Sequence, residues 1–265
     1  AALTRPVRFA TGGDTQADDK RFGTTNRMVA AKDVDFVLIG GDLAYSNGDP
    51  RLVKREEEWF ETVTQSLVTP SGRLIPLIAA IGNHEVFSAR DTAAAFKRMV
   101  DSTGVELGRA TYYRALHAHV RDPQYGAIDV GDYLTVLLLN SDHSSPVIGA
   151  QTEWLRRSLE QRPGVPFVFP IYHVPAYPSV RAFSGTTSAR IRQHWAPLFE
   201  THGVRLAFEN HDHAYKRSVP LRNGQRDTDG VIYLGDGAWG ASPRVIGRDN
   251  DAKPEWYLER YESKN

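Results

Sequence analysis

Asp14, Asp42, Asn83, His173, His211 and His213 form an ordered series of side chains of the kind that bind metals, each in a short turn marked by Gly, Pro or Asn. The segments read FATGGDTQ, FVLIGGDLAY, LIAAIGNHE, FVFPIYHVP and LAFENHDHAY, and most of these turns follow a run of apolar β-formers. Gly12-Gly13-Asp14 and Gly40-Gly41-Asp42 each deliver a carboxylate directly after a strand, and the second adds the phenol of Tyr45 three residues on. Gly82-Asn83-His84-Glu85 offers an amide oxygen and an imidazole. His211 and His213 stand at i and i+2. Any single Gly-Asp or Asn-His pair is usually a capped turn. Five such turns in this order carry the donor set that two adjacent divalent or trivalent cations need, with carboxylates to supply charge and bridge, imidazoles to complete softer sites, and an open edge for water and substrate.

The elements that position these groups are legible as continuous apolar runs, the pattern of strands buried on both faces. They are Val7–Thr11, Phe36–Ile39, Leu77–Ile81, Tyr125–Val130, Leu134–Asn140, Phe167–Ile171, Leu206–Phe208 and Val231–Leu234. Helices are expected over Glu56–Leu67, Thr92–Val100 with Asp91 as N-cap, Gln151–Gln161 and Ser188–Thr201. Between Tyr112 and Asn140 strands follow one another with short breaks. The sum is a mixed α/β layered domain whose ligand turns lie at the carboxyl ends of strands, where open α/β sheets bind ligands. The 265 residues suit one large domain, 1–265, ending in a surface-docked or partly disordered tail from Lys253.

Lys+Arg and Asp+Glu both number 32, and a formally neutral chain lacks the basic surface that nucleic acid requires. No apolar run is long enough to span a bilayer. With no Cys there is neither a disulfide framework nor thiolate chemistry. The chain opens Ala-Ala-Leu-Thr, which fits cleavage of an export signal, so an exported protein is expected.

The series resembles the calcineurin-like metallophosphoesterase superfamily, whose signature runs from an Asp turn through GD, GNH[DE], a lone His after a strand and GHxH. The GDLAY variant, with Tyr45 after Asp42, resembles its purple acid phosphatase branch, and the likeness continues through YLGDGAWG. The resemblance implies a four-layer αββα sandwich of two mixed β-sheets flanked by helices. It implies that Asp14, Tyr45 and His213 bind a first metal, Fe(III), that Asp42 bridges, and that Asn83, His173 and His211 bind a second, Zn, Mn or Fe(II). Hard anionic oxygens at the trivalent site and imidazoles at the divalent one agree with donor preference. The implied reaction is hydrolysis of a small phosphorylated substrate, foremost a phosphomonoester, by in-line attack of a water activated on the cations. A phosphodiesterase on the same centre is the first alternative, and a non-catalytic metal-binding scaffold the second.

Several positions depart from that pattern. Gln16 replaces a histidine ligand of the wider superfamily, and Tyr45 supplies the missing donor. Asn210 stands where GHxH has Gly, a place where Asn tolerates left-handed backbone. Purple acid phosphatases carry a further His beyond the lone one, whereas Tyr177–Phe183 holds none; Arg181 there is a candidate replacement phosphate contact or else a solvated arginine. Ile81, where Ser/Thr protein phosphatases have Arg, argues against that branch. His84 is the expected catalytic contact, touching phosphate or protonating the leaving oxygen, or else orienting Asn83 or Asp42. His143 is a further candidate substrate contact. Gly235–Gly240 matches G-x-G-x-x-G, but Ser242-Pro243 follows where a dinucleotide fold needs a helix. It reads as a tight turn lining the cleft, with Trp239 turned to substrate. His117 and His119 read as two residues on one face of a strand.

Overall fold

The computed structural model describes residues 5–16, 19–87, 110–117, 120, 123–235, 237–252 and 254–262. The expected helix over 92–100 lies outside them. A small sheet has the order β1 (Phe9–Gly12), β2 (Phe36–Gly40), β3 (Leu77–Ala80), and each described pair is parallel. The large sheet is mixed. It comprises β4 (Gly126–Val130), β5 (Leu134–Leu138), β6 (Phe167–Ile171), β7 (Leu206–Glu209), β8 (Tyr215–Ser218), β11 (Ile232–Gly235) and β12 (Leu258–Glu262), in the order β12-β8-β11-β7-β6-β5-β4. Pairs β5–β6, β6–β7 and β7–β11 are parallel, while β4, β8 and β12 add antiparallel strands. A separate hairpin joins β9 (Leu221–Arg222) to β10 (Gln225–Arg226) through Asn223-Gly224, both at positive φ as a tight two-residue turn demands.

Period-two alternation explains the layering. On β5, Leu134, Val136 and Leu138 enter the core between the sheets, while Leu137 faces a second core beneath the helices. Phe9 of β1 meets Phe169 of β6 at 5.7 Å and Phe208 of β7 at 5.9 Å, locking sheet to sheet. Helices α1 (Asp19–Ala30) and α2 (Val53–Ser66) pack together through Phe22 and Trp59, stacked at 6.0 Å, beside the small sheet. Helices α4 (Ala150–Glu160), α5 (Thr186–His194) and α6 (Ala196–Thr201) bury Leu155, Leu159, Ile191 and Phe199 on the other side of the large sheet. Helix, sheet, sheet and helix therefore stack in four layers.

Two expectations are corrected. The expected run of strands from Tyr112 begins instead with helix α3 (Thr111–Leu116), and His117 is its C-cap rather than a strand residue; His119 is outside the described residues. Tyr113 anchors this helix, buried with its hydroxyl donating to the Ala79 carbonyl at 2.8 Å, and the Arg-Ala-Leu that follows has good helix propensity. The long helix expected over 188–201 is two helices. Pro197 cannot donate the interior hydrogen bond, so the chain breaks at Trp195 and restarts with Pro near its first turn. Within the final segment, Leu258–Glu262 docks on β8 as an antiparallel edge strand.

Candidate metal centre

Every ligand turn lies just past the carboxyl end of a strand. Asp14 follows β1, Asp42 follows β2, Asn83 follows β3, His173 follows β6, and His211 and His213 follow β7. The facing parallel strands of both sheets bring these ends together. Ligand atoms of Asp14, Asp42, His173 and His211 all lie within 4.8 Å of one another. His213 joins through Nε2, 2.8 Å from Asp14 Oδ1, and the Tyr45 hydroxyl donates to that same oxygen at 3.3 Å. Asn83 Oδ1 lies 3.1 Å from His173 Nε2. His84 Nε2 sits 3.9 Å from Asp42 Oδ2.

The local backbone is bent to this purpose. Asp14, Asp42, Tyr45, Asn47, His211 and His213 all have φ between 54° and 72°. Left-handed non-glycine residues cost on the order of 1–3 kcal/mol each and persist where surroundings over-determine them. Asn210 is not among them: the turn is made by His211 and His213, and the Asn210 side chain instead fills space over two glycines. A Cβ on Gly40 would lie 1.6 Å from Asn210 Nδ2, and one on Gly13 2.7 Å from its Oδ1.

The charges favour a cation. His173 Nδ1 is 2.8 Å from the Gly40 carbonyl, so it carries the proton and donates. Nε2 then lies 2.8 Å from His211 Nδ1, 3.1 Å from Asn83 Oδ1 and 3.2 Å from Asp42 Oδ2. An imidazole nitrogen crowded by two oxygens and a second imidazole nitrogen holds together around a proton or a metal ion. Burial alone would push the His173 pKa down, but Asp42 and Asp14 outweigh it and pull it up to about 9. Burial opposes ionisation of Asp42, yet the imidazoles led by His173 hold its carboxyl far below the usual range. The buried acids and His173, with the partly exposed imidazole of His211, amide of Asn83 and phenol of Tyr45, thus fit two hard-to-borderline cations.

Neighbouring groups fix the turns. Glu85, absent from the sequence expectations, accepts hydrogen bonds from the backbone N–H of Asp42 at 2.8 Å, Leu43 at 2.7 Å and Gly82 at 2.6 Å. It ties the Asp42 turn to the Asn83 turn. Burial and the Asp42 charge push its pKa up to about 8. The Gly237–Gly240 turn clamps the other side: Gly240 and Ala241 N–H both donate to the Asp14 carbonyl at 2.9 Å. Trp239 does not face substrate. It is buried against Gly12 and donates to Asn26 Oδ1 at 2.8 Å. Behind β7, Lys216 pairs with Glu209, whose carboxylate also receives the Tyr172 hydroxyl and the Ala176 N–H, bracing the His173 loop.

Four side chains line the rim. The His84 ring is stacked on Tyr45 at 4.1 Å between centroids, bonded through Nδ1 to Asn47 Oδ1, and one-third exposed. His143 lies 5.5 Å from the His173 ring, its Nε2 3.1 Å from Ser141 Oγ; burial, then His173, pushes its pKa down to about 3. Arg181 Nη2 donates to the His211 carbonyl at 3.3 Å. Arg244, unforeseen from the sequence, donates to that same oxygen from Nη1 at 3.2 Å. Its only sequence signal is a basic residue after Ser242-Pro243.

Comparison with known proteins agrees with this architecture. Residues 7–215 match the family model described as calcineurin-like phosphoesterase. Purple acid phosphatase 18 of Arabidopsis thaliana is 26% identical over 262 residues, covering 96% of this chain and 54% of that protein. Purple acid phosphatase 1 of Ipomoea batatas is 27% identical over 224 residues, covering 82% and 44%. The chain spans about half the length of the curated relatives it matches. Among solved structures, a purple acid phosphatase from yellow lupin seeds superposes with a TM-score of 0.70 at 17% identity, covering 97% of this chain and 48% of that one. A dimetal phosphatase from Danio rerio gives 0.55 at 14% identity, covering 88% of each. These last two likenesses show the shared fold. With the family match spanning most of its length, the chain belongs to the calcineurin-like phosphoesterases.

Proposed function

We propose that this protein hydrolyses phosphomonoesters at a two-cation centre, as an enzyme of the purple acid phosphatase type. The observation that carries this is the convergence of Asp14, Asp42, His173 and His211 within 4.8 Å at the carboxyl ends of both sheets. Asp14, Tyr45 and His213 would hold an Fe(III), supported by the shared approach of the Tyr45 hydroxyl and His213 Nε2 to Asp14 Oδ1. Asn83, His173 and His211 would hold Zn, Mn or Fe(II), with Asp42 between the two. When bound, the ions orient phosphate oxygens, neutralise developing charge and acidify the attacking water.

The chain's own groups do the rest. His84 keeps its Nδ1 on Asn47 and its ring against Tyr45, which holds Nε2 over the centre to meet the phosphate or the leaving oxygen. Asn83 adds a neutral amide on the phosphate side. Arg181 reaches the rim from the loop where purple acid phosphatases place a further histidine. His143 walls the cleft beside His173 as an uncharged ring. No helix among the described residues is long and apolar enough to cross a membrane.

The test is hydrolysis of a paired aryl phosphate monoester and diester by metal-reconstituted protein across pH. A dominant monoester rate is expected. A dominant diester rate moves the enzyme to phosphodiesterase chemistry, and turnover of neither ester removes the hydrolase proposal.

A further inference from the structure

The His211 carbonyl oxygen is shared by two guanidinium groups, Arg181 Nη2 at 3.3 Å and Arg244 Nη1 at 3.2 Å. The two cationic heads are therefore neighbours. One backbone oxygen cannot balance two full positive charges. Several other arginines are paired with carboxylates: Arg162 with Asp129 at 2.8 Å, Arg190 with Asp142 at 2.9 Å, Arg73 with Asp33 at 3.1 Å. At the rim this compensation is thin. Asp212 is the ion-pair partner of Arg181, with Oδ1 3.6 Å from Nε, beyond hydrogen-bond reach, and its Oδ2 is taken by the N–H groups of Ser179 and Val180. The buried Arg181 Nε has no hydrogen-bond partner. Arg244 has no carboxylate within ion-pair distance among the described residues.

The position of the pair gives it meaning. The His211 imidazole belongs to the metal cluster while its carbonyl carries both guanidiniums, so cluster and pair are separated by one residue. Two like charges held together next to a cation centre repel it and each other, a cost that an arriving anion removes. A single phosphoryl group at the centre is served by the ligands already described. Guanidinium forks, with planar parallel donors, match a second phosphoryl or carboxylate group.

We infer that Arg181 and Arg244 form a second anion subsite that selects phosphate esters or anhydrides bearing another phosphoryl or carboxylate group a few bonds from the scissile phosphorus. This rests on the hydrolase proposal above and names the substrate class of that site. Arg244 here is a binding residue, acting on the part of the substrate that does not react.

The experiment compares wild-type, Arg244→Gln and Arg244→Lys proteins, each metal-loaded, on three probes. These are para-nitrophenyl phosphate, with no second anion, inorganic pyrophosphate, with a second phosphoryl, and phosphoglycolate, with a carboxylate. The quantity read is kcat/KM on each charged probe divided by kcat/KM on the aryl phosphate. We expect Arg244→Gln to lower at least one ratio by about tenfold, with partial rescue in Arg244→Lys, which keeps charge but loses the fork. A fall for pyrophosphate assigns the subsite to phosphoryl groups, and a fall for phosphoglycolate to carboxylates. Unchanged ratios overturn the inference. So does an equal loss on all three probes, because that marks Arg244 as a prop for the His211 turn. Calorimetric binding of pyrophosphate and phosphoglycolate supplies an independent readout. About tenfold weaker binding of either to Arg244→Gln upholds the subsite even in a protein that turns over no probe, and equal binding of both overturns it.

Discussion

His211 Nδ1 lies 2.8 Å from His173 Nε2, while the other nitrogen of His173 is already committed to the Gly40 carbonyl. Two imidazoles in this relation direct ring nitrogens toward a common point. Asp42 and Asn83 direct oxygens to the same place, from the other sheet. Four residues from 42 to 211 thus agree on one position, and each prediction below perturbs part of that agreement.

Tyr45 distinguishes an Fe(III) site from a colourless one. The oxidised, iron-loaded protein should show a visible phenolate-to-iron charge-transfer band that disappears in Tyr45→Phe. Loss of the hydroxyl's bond to Asp14 should cost about 1 kcal/mol of stability, leaving the fold intact. A fully active, colourless Mn or Zn enzyme, with Tyr45→Phe unaltered in metal content, contradicts the assignment.

Glu85 touches no substrate, yet three N–H groups from two ligand turns depend on it. Glu85→Gln keeps the shape but replaces one oxygen by a donor that faces an N–H. Metal affinity should fall about 10- to 100-fold, the usual cost of losing a group that orients ligands. Equilibrium dialysis of the second metal gives the reading, and affinity equal to wild type rules out this bracing role.

Gly40→Ala should be destabilising by about 1–3 kcal/mol, because its new methyl would lie 1.6 Å from Asn210 Nδ2 with no room to move. Adding Asn210→Gly clears that space and should recover part of the loss. Thermal unfolding of the single and double variants measures both steps. Additive losses would show that the two residues do not share this space.

His143 sets a pH dependence whose sign follows from its environment. Burial, then His173, depresses its pKa to about 3, well under the ordinary value of 6.5. Between those values the unfolded chain binds a proton that the folded chain does not, so stability falls as pH drops from 6.5 toward 3. Denaturant unfolding at pH 7 and pH 4 should show wild type losing more stability than His143→Asn. A parallel loss in both proteins contradicts a neutral His143 ring in the folded chain.

Much of the cluster was legible because each candidate ligand is announced locally. Asp14 and Asp42 follow paired glycines after apolar strands, and His173 and His211 follow strands that the hydrophobic runs also mark. What closes the site over distance was not legible. Glu85 could be seen in the Asn83-His84-Glu85 turn, but its partners at 42 and 43 are supplied by the neighbouring strand. Arg244 approaches from a Pro-containing turn about thirty residues past His213, with no periodicity to flag it. Asn210 misled because its left-handed tolerance was the obvious local property, whereas packing against Gly40 and Gly13 decides its conformation. Around Tyr112 the expectation was the start of a run of strands. A single hydrogen bond from buried Tyr113 to Ala79 and a helix-favouring tail settle the segment as helix.

The most direct test titrates metal-free protein with metal ions while following bound metal and phosphomonoester hydrolysis together, in wild type and Asp42→Asn. Two ions bound per chain are predicted. Activity should appear as the second site fills, chelators should abolish it, and Asp42→Asn should lower it by at least about a hundredfold with loss of one or both ions. Hydrolysis that persists without metal, or an Asp42→Asn protein that binds two ions and turns over at the wild-type rate, would contradict the two-cation centre.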